Sequence, residues 1–369
     1  MGVYVNSGVL STPENRAVKL LKRLCLLMVI AFVPVGCDQA NYKELSGQTM
    51  GTTYHIKYAN LGVDRSQRSL SLADDVSDAL EYANAVFSTY RSDSEISVIN
   101  ESPINAPIVM SSDMQAVALF AQWLNDVTAM AFDPTIDPLV NAWGFGAKTD
   151  IQSLVGGDIP DRAHILHVQK NIGFNNIALL QRKDDHAPII MKLAPVTLDF
   201  SSIAKGYAVD KLSAIFETNG VQHYMIEIGG ELRCKGKNAQ GKPWQIGIET
   251  PTETLSDKQQ AQMILSLSSA AVATSGDYRN YYEKNGKRFS HIIDPRTGYP
   301  IEHALASVTV ISDSAMVADG WATALMVLGE QAGMALANDH GIAATFISRD
   351  NQDYRVEYTQ AMQTTYLSH

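Results

Sequence analysis

The sequence contains few cysteines, 3 among 369 residues. Cys25 lies within an apolar N-terminal run and Cys37 follows that run, so Cys234 is the one cysteine of the remaining chain. A disulfide framework needs paired cysteines, which this part of the chain lacks. We therefore expect stability to come from a hydrophobic core, for which the 46% hydrophobic content over this length is sufficient.

Positive charge is also scarce. The chain has 29 Lys and Arg residues against 39 Asp and Glu residues, which gives a formal net charge of -10. Nucleic acids are polyanions whose binding depends on basic surfaces, so we expect no nucleic-acid partner. An anionic small ligand would need a bound cation or a few well-placed basic groups.

Several signature motifs are missing. The sequence has no G-x-G-x-x-G, no H-E-x-x-H, no G-x-S-x-G and no C-x-x-C, which argues against Rossmann-type dinucleotide binding, zincin chemistry and thioredoxin-like redox chemistry. The Gly236–Lys242 segment has the spacing of a phosphate-binding loop. However, Pro243 stands where that loop has a magnesium-binding hydroxyl, and a strand pattern follows. We predict a hairpin turn there.

Long hydrophobic runs are absent except for one near the N-terminus. Lys19, Lys22 and Arg23 precede the apolar run Leu24–Val35, which is too short to span a bilayer and is typical of a signal peptide. The run leads into Pro34–Cys37, small residues followed by a cysteine.

This junction resembles the lipobox of bacterial lipoproteins. The resemblance implies a signal peptide over residues 1–36, an acylated Cys37, a tether over 37–45 and a folded domain over 46–369. Asp38 resembles an inner-membrane retention signal, which implies a lipid-anchored protein on the periplasmic face of the inner membrane. The alternative is an ordinary secretory signal with an incidental cysteine.

Alternating and helical periodicities divide the rest of the chain into short elements. The predicted strands are 47–59, 189–198, 224–228, 244–248, 263–267, 271–274, 289–293, 307–311, 343–348 and 354–358, and the predicted helices are 76–87, 114–127, 202–217 and 314–328. Residues 149–186 give no clear pattern. Runs of strands with helices inserted between them predict an α+β fold with mixed or antiparallel sheets flanked by helices.

Three segments carry polar groups suited to chemistry. Asp319 and Thr323 lie four residues apart on one face of a predicted helix, an oxygen pair that suits Mg²⁺ or a simple local hydrogen bond. Leu198–Asp210 follows a strand and opens a helix, whose free N–H groups favour an anion, although Asp199 can also be a plain helix cap. His291 is expected within a strand, as a structural histidine or a base.

Taken together, the motifs resemble the ApbE family of FAD:protein FMN transferases, in the same order, over about residues 46–345. They are Met50-Gly51-Thr52, Tyr90-Arg91-x-x-Ser94-Glu95-Ile96-Ser97, Ala131-Phe132-Asp133-Pro134, Asp199 through Asp210, Ile228-Gly229-Gly230-Glu231, His291-x-x-Asp294-Pro295-x-Thr297-Gly298 and Ala318-Asp319-Gly320-x-Ala322-Thr323. The lipoprotein-like leader is also typical of that family. The resemblance implies an ApbE-like, T-fold-like architecture with two intimately associated subdomains.

The resemblance also implies an activity: Mg²⁺-dependent transfer of FMN from FAD to a Ser or Thr hydroxyl of a target protein, with release of AMP. By motif, the implied flavin-nucleotide contacts are Met50, Tyr90, Ala131, Phe132, Asp133, Asp199, Lys205 and Ile293, several through backbone atoms. The implied metal ligands are the Ser202 carbonyl, Asp319 and Thr323. The implied acceptors are subunits of membrane redox complexes, of the sodium-pumping quinone reductase or Rnf type.

Because an unactivated hydroxyl is a poor nucleophile, we expect His291 to be the general base. Two alternatives share the same motifs. In the first, water replaces the protein hydroxyl and the chain is an FAD pyrophosphatase that forms FMN and AMP. In the second, the chain is a non-catalytic FAD-binding lipoprotein, which would need neither the Asp319/Thr323 pair nor His291.

Overall fold

A sheet of eight strands forms the centre of the structure. The structure is a computed structural model, and it describes residues 42–59, 67–146, 159–251, 261–278, 280–284, 286–351 and 353–367. The strands are β1 (Tyr42–Thr49), β2 (Thr52–Ala59), β3 (Ile108–Val109), β4 (Ile177–Gln181), β5 (Pro188–Lys192), β6 (Tyr224–Ile228), β7 (Glu231–Lys235), β8 (Trp244–Glu249), β9 (Ala261–Leu267), β10 (Ser269–Gly276), β11 (Tyr281–Lys284), β12 (Lys287–Ser290), β13 (Ile293–Asp294), β14 (Tyr299–Pro300), β15 (Leu305–Ser312), β16 (Ala343–Asp350) and β17 (Asp353–Tyr358). The helices are α1 (Gln67–Phe87), α2 (Glu95–Glu101), α3 (Ser112–Val127), α4 (Asp137–Ala142), α5 (Arg162–Val168), α6 (Ser201–Thr218), α7 (Ala315–Asp339) and α8 (Gln360–Met362).

The large sheet is antiparallel throughout. Its strand order is β1-β2-β6-β7-β10-β15-β16-β17, and each neighbouring pair runs in opposite directions. A second sheet has the order β3-β5-β4, and β8 pairs with β9. This arrangement confirms the predicted α+β class. The described residues belong to one compact unit.

Both faces of the sheet are covered. Strand β15 shows why, since Val308 and Val310 belong to the core beneath the helices while Ile311 belongs to the core beneath β8 and β9. Adjacent residues of a strand point to opposite faces, so seven consecutive buried residues in β15 require a layer on each side. None of the described helices is long and apolar enough to cross a membrane.

Helices α6 and α7 approach each other at Gly206. A Cβ atom built on this glycine would lie 2.4 Å from the Ala315 carbonyl oxygen and 2.7 Å from the Met316 Cα. These are backbone atoms, which cannot move aside as a flexible side chain would. The close packing of the two helices therefore requires glycine at this position.

Asp210 joins the same two helices through a carboxylate. It accepts hydrogen bonds from the Ser314 hydroxyl (2.6 Å) and from the backbone N–H groups of Ala315 and Met316 (3.0 Å each), and it pairs with Arg233 (2.7 Å). The N–H groups at the start of a helix lack partners within it, and a negative charge there is favourable. Asp210 therefore fixes the start of α7 against α6.

Two predictions near the N-terminus are wrong. The single strand predicted over 47–59 is a hairpin, in which β1 and β2 meet at Met50 and Gly51. These two residues have φ angles of 49° and 74°, the positive values that favoured two-residue hairpin turns adopt. The tether expected over 37–45 ends earlier, because β1 begins at Tyr42. The signal peptide and Cys37 lie outside the described residues.

Other element boundaries also differ from the predictions. Strand β5 ends at Lys192, well before Leu198, and α7 continues to Asp339 past a break at Gly329, whose φ is 76°. The turn at 236–242 is present, but β7 and β8 on its two sides belong to different sheets, so it does not close a hairpin. The region that gave no pattern contains α5 and β4 among its described residues.

Gly206→Ala tests the importance of the α6–α7 contact. Because the new methyl group would collide with backbone atoms, we expect the free energy of unfolding to fall by about 1–3 kcal/mol, as overpacked cores do. Urea denaturation followed by circular dichroism measures this change. Ala214→Leu adds volume on an exposed position of the same helix and should change stability by less than about 0.5 kcal/mol. Equal stability of Gly206→Ala and the parent would contradict the interpretation.

Candidate functional site

A cleft of about 640 Å³ collects residues from the second half of the chain, from the turn after α1, and from α4 with the segments on either side of it. It brings together all but one of the predicted catalytic, flavin-binding and metal-binding residues, namely Tyr90, Ala131, Phe132, Asp133, Asp199, Ser202, Lys205, His291, Ile293, Asp319 and Thr323. The exception is Met50. It occupies the β1–β2 turn, is partly buried against the hydrophobic core and does not line the cleft.

Asp319 forms the buried end of the cleft. Its side chain is 4% exposed, and its Oδ2 accepts a hydrogen bond from the Gly206 N–H at 3.2 Å. In a regular helix this N–H group points to the carbonyl oxygen four residues earlier, which is that of Ser202. The Asp319 carboxylate and the Ser202 carbonyl therefore lie beside the same N–H group. The α6–α7 contact creates this pairing.

Thr323 adds a hydroxyl one helical turn after Asp319. Its Oγ1 lies 3.2 Å from the Ser275 Oγ on β10. Among the described residues, no group of three or more His, Cys, Asp or Glu side chains could hold a metal ion. A donor set of one carboxylate, one hydroxyl and one carbonyl is weak for zinc but fits Mg²⁺, which completes its coordination with phosphate and water. These residues therefore fit the implied magnesium site.

Lys205 lies between two buried carboxylates. Its Nζ is 3.7 Å from Glu231 Oε1 and also donates to the Ser201 carbonyl at 3.3 Å. Burial disfavours the lysine charge, but Asp319 and Glu231 raise the pKa of Lys205 above its ordinary value. Burial raises the pKa of Asp319, and burial followed by the charge of Asp319 raises the pKa of Glu231. The ammonium is therefore held in its charged form by acidic neighbours.

Acidic side chains outnumber basic ones around the cleft. Among the described residues that line it, the carboxylates are Asp133, Asp137, Asp199, Glu231, Glu249 and Asp319, and Lys205 is the one Lys or Arg. Carboxylates repel an anion in a poorly solvated cleft. A phosphate-containing ligand would need a metal cation in addition to Lys205.

The segment before α4 lines the cleft with residues that are largely buried. The Ala131 and Phe132 side chains are 2% exposed, and the Phe132 carbonyl accepts a hydrogen bond from Asn125 Nδ2 at 2.7 Å. The Asp133 carboxylate accepts from the Thr135 N–H (2.8 Å) and hydroxyl (2.6 Å). These hydrogen bonds within the protein hold the segment in place beside the cleft.

Asp199, Tyr90 and Ile293 occupy other parts of the cleft. Asp199 accepts a hydrogen bond from the Ser201 N–H at 2.7 Å, which forms a local turn directly before α6. The Tyr90 side chain is 80% exposed, and such a ring offers a flat surface for stacking. Ile293 is buried in β13.

His291 lies in a bend between β12 and β13, so its predicted position within a strand is wrong. The Nδ1 atom lies 2.8 Å from the Asn280 carbonyl oxygen. A carbonyl can only accept, so Nδ1 carries the proton and Nε2 keeps a free electron pair. Burial lowers the pKa of His291 below 6.5, and the Asn280 carbonyl offsets part of this effect. A neutral imidazole with a free Nε2 is suited to accept a proton.

Ser275 and Glu231 are among the polar residues of the cleft that the sequence did not single out. Ser275 contacts Thr323 but belongs to a strand with no motif of its own. Glu231 belongs to the Ile228–Glu231 motif, which supported the family resemblance but did not indicate a function for this residue. Its position beside Lys205 depends on the pairing of β6 with β7 and on the packing of α6 against the sheet.

Together, the fold and the cleft define an α+β protein whose cleft is rich in carboxylates and also contains Lys205 and the exposed ring of Tyr90. Comparisons with known proteins agree with this class. A model of the ApbE family matches residues 50–346. The FAD:protein FMN transferase of Haemophilus influenzae is 42% identical over 86% of this chain and 90% of the relative, and that of Escherichia coli K12 is 35% identical over 90% and 94%.

Solved structures give the same result. Flavin transferase ApbE from Vibrio cholerae is 37% identical, with a TM-score of 0.78 over 88% of this chain and 99% of the other. The apo form of the Pseudomonas stutzeri flavinyl transferase ApbE has the same identity and TM-score over 89% and 98%. The chain belongs to the ApbE family.

Proposed function

We propose that this protein is an FAD:protein FMN transferase that uses Mg²⁺ to move FMN from FAD to a Ser or Thr hydroxyl. The main support is the grouping of Asp319, Thr323 and the Ser202 carbonyl beside Lys205 in an otherwise acidic cleft. That cleft belongs to a chain whose curated relatives carry this name. The products would be a phosphoester-linked flavin and AMP.

Different residues of the cleft would contact different parts of the ligand. Asp319, Thr323 and the Ser202 carbonyl would hold the metal, while Lys205 would face the pyrophosphate directly. Bound Mg²⁺ would supply neutralisation of the charge on the pyrophosphate and on the departing AMP. Tyr90 would stack on a ring of the dinucleotide at the cleft entrance, and the backbone of Ala131–Asp133 would contact the nucleotide.

His291 would activate the acceptor. Its Nε2 accepts the hydroxyl proton as the hydroxyl oxygen bonds to the phosphorus of the FMN half. The bond from that phosphorus to the AMP oxygen breaks, and AMP leaves with the electron pair. The Asn280 carbonyl keeps the Nδ1 proton in place, which stabilises the imidazolium that forms.

Incubation with FAD, Mg²⁺ and a flavin-acceptor domain tests the proposal. We expect the acceptor mass to increase by one FMN and AMP to appear in equal amount, as measured by mass spectrometry and chromatography. AMP with free FMN would instead show a pyrophosphatase, and unchanged FAD would show a storage protein.

Asp319→Ala is the variant to include in this assay. Because it removes the one carboxylate of the proposed metal site, it should abolish transfer at ordinary Mg²⁺ and regain part of it at high Mg²⁺. Asp339→Ala, near the end of the same helix and outside the cleft lining, should behave like the parent. Full activity of Asp319→Ala would reject the metal assignment.

His291→Gln tests the proposed base. Loss of a general base should lower kcat by roughly 10²–10⁴. In the parent, kcat/KM should fall as the pH drops through the pKa of His291, below 6.5, because the protonated ring cannot accept the hydroxyl proton. The pH–rate profile measures this limb, with the exposed His164→Gln as a control. Near-normal transfer by His291→Gln would place the base elsewhere.

We also propose that acylated Cys37 anchors the protein to the periplasmic face of the inner membrane, where acceptor subunits of membrane redox complexes would meet it. The support is the lipobox-like sequence before Cys37. Cys37→Ser should move the protein from the membrane fraction to the soluble fraction, as measured by fractionation and by mass spectrometry for palmitate. Unchanged membrane association of Cys37→Ser would reject this anchor.

A further inference from the structure

The turn between β6 and β7 forms one wall of the cleft. Gly229 and Gly230 both line the cleft and have φ angles of 62° and 109°. The Gly230 N–H donates to Glu227 Oε1 at 2.6 Å, which fixes the turn. The proposed transfer mechanism gives this turn no role.

Gly229 leaves room for the stem of Lys205. A Cβ atom on Gly229 would lie 3.3 Å from Lys205 Cδ and 2.8 Å from Thr52 Cγ2. Any side chain at position 229 would contact the aliphatic part of Lys205, near Cδ. The turn therefore limits where the aliphatic part of Lys205 can lie.

Glu231, the first residue of β7, constrains the charged end of the same lysine. Its side chain is 6% exposed, and its Oε1 lies 3.7 Å from Lys205 Nζ. Its Oε2 is buried without a hydrogen-bond partner among the described residues. Burying a carboxylate costs free energy unless it is paired, and the Lys205 ammonium offsets part of that cost for Glu231.

Glu231 also competes with Asp319 for Lys205. Both carboxylates attract the ammonium. Without Glu231, the lysine would pair with Asp319 alone and occupy the carboxylate proposed to hold the metal. Glu231, which lies on β7 whereas Asp319 lies on α7, draws the ammonium away from that position.

We infer that Glu231 and the Gly229–Gly230 turn position the Lys205 ammonium between the cleft wall and Asp319, where it faces an anionic group of the ligand. Glu231 is thus a positioning residue that acts through Lys205. The inference rests on the proposed function in one respect, that the anionic group is the pyrophosphate of FAD.

Binding of FAD and of riboflavin, which lacks the pyrophosphate, tests this role without an acceptor protein. Flavin fluorescence gives the Kd for the parent, Glu231→Gln, Lys205→Met and the double variant. We expect each single variant to bind FAD about tenfold more weakly, the loss of one charge-assisted contact, with riboflavin binding unchanged. Because Glu231 acts through Lys205, the double variant should bind FAD no more weakly than Lys205→Met.

Three results would overturn the inference. The first is that Glu231→Gln binds FAD with the Kd of the parent, and the second is that the double variant loses as much affinity as the two single losses multiplied together. The third is that Glu231→Gln loses as much affinity for riboflavin as for FAD. Glu217→Gln is a matched control. Glu217 pairs with Lys235 at 3.1 Å and so also joins α6 to β7, at the far end of the strand from the cleft. This variant should bind both flavins as the parent does.

Acetylation of Lys205 by a small reagent, followed by mass spectrometry, is a second measurement that needs no flavin. Without the Glu231 carboxylate, the charged form of Lys205 is less favoured and the amine should be more reactive. We therefore expect Lys205 to be labelled several times faster in Glu231→Gln than in the parent. In Glu217→Gln, labelling should change only at Lys235. Unchanged labelling of Lys205 in Glu231→Gln would contradict the inference. If the parent failed to bind FAD, the proposed function would fail, and this labelling would still decide the role of Glu231.

Discussion

The backbone contact between α6 and α7 at Gly206 is the constraint on which the site depends. One helix carries Ser202 and Lys205, and the other carries Asp319 and Thr323. A side chain at position 206 would separate them, and the Gly206 N–H could then no longer reach Asp319. The same helix contact therefore both packs the core and brings the site residues together.

The electrostatics of the cleft follow from that packing. Asp319 is buried where its charge is unfavourable, and Lys205 and the Gly206 N–H offset part of the cost. Glu231 is buried nearby with one oxygen unpaired. Burying these acidic groups in one place opposes folding and raises the pKa of each of them.

Periodicity in the sequence predicted most of the fold. The alternation in 224–228 and the helical spacing in 114–127 match β6 and α3, because each element buries one face against a hydrophobic core. The β1–β2 hairpin was missed because alternation continues on both sides of the turn, and Met50 is not a residue that marks a positive φ. The predicted helix 314–328 ended just before the break at Gly329, so what was missed is the continuation of α7 beyond that glycine to Asp339.

The sequence by itself determined the class of the fold, the family and the residue types of the site, since motif order and local spacing are properties of the chain. Only the tertiary structure decided which of these residues meet. It placed the Ser202 carbonyl beside Asp319, put Glu231 next to Lys205 and left Met50 outside the cleft lining. The reason is physical: these contacts join segments far apart in the chain, and their geometry is set by strand order and helix packing rather than by local sequence.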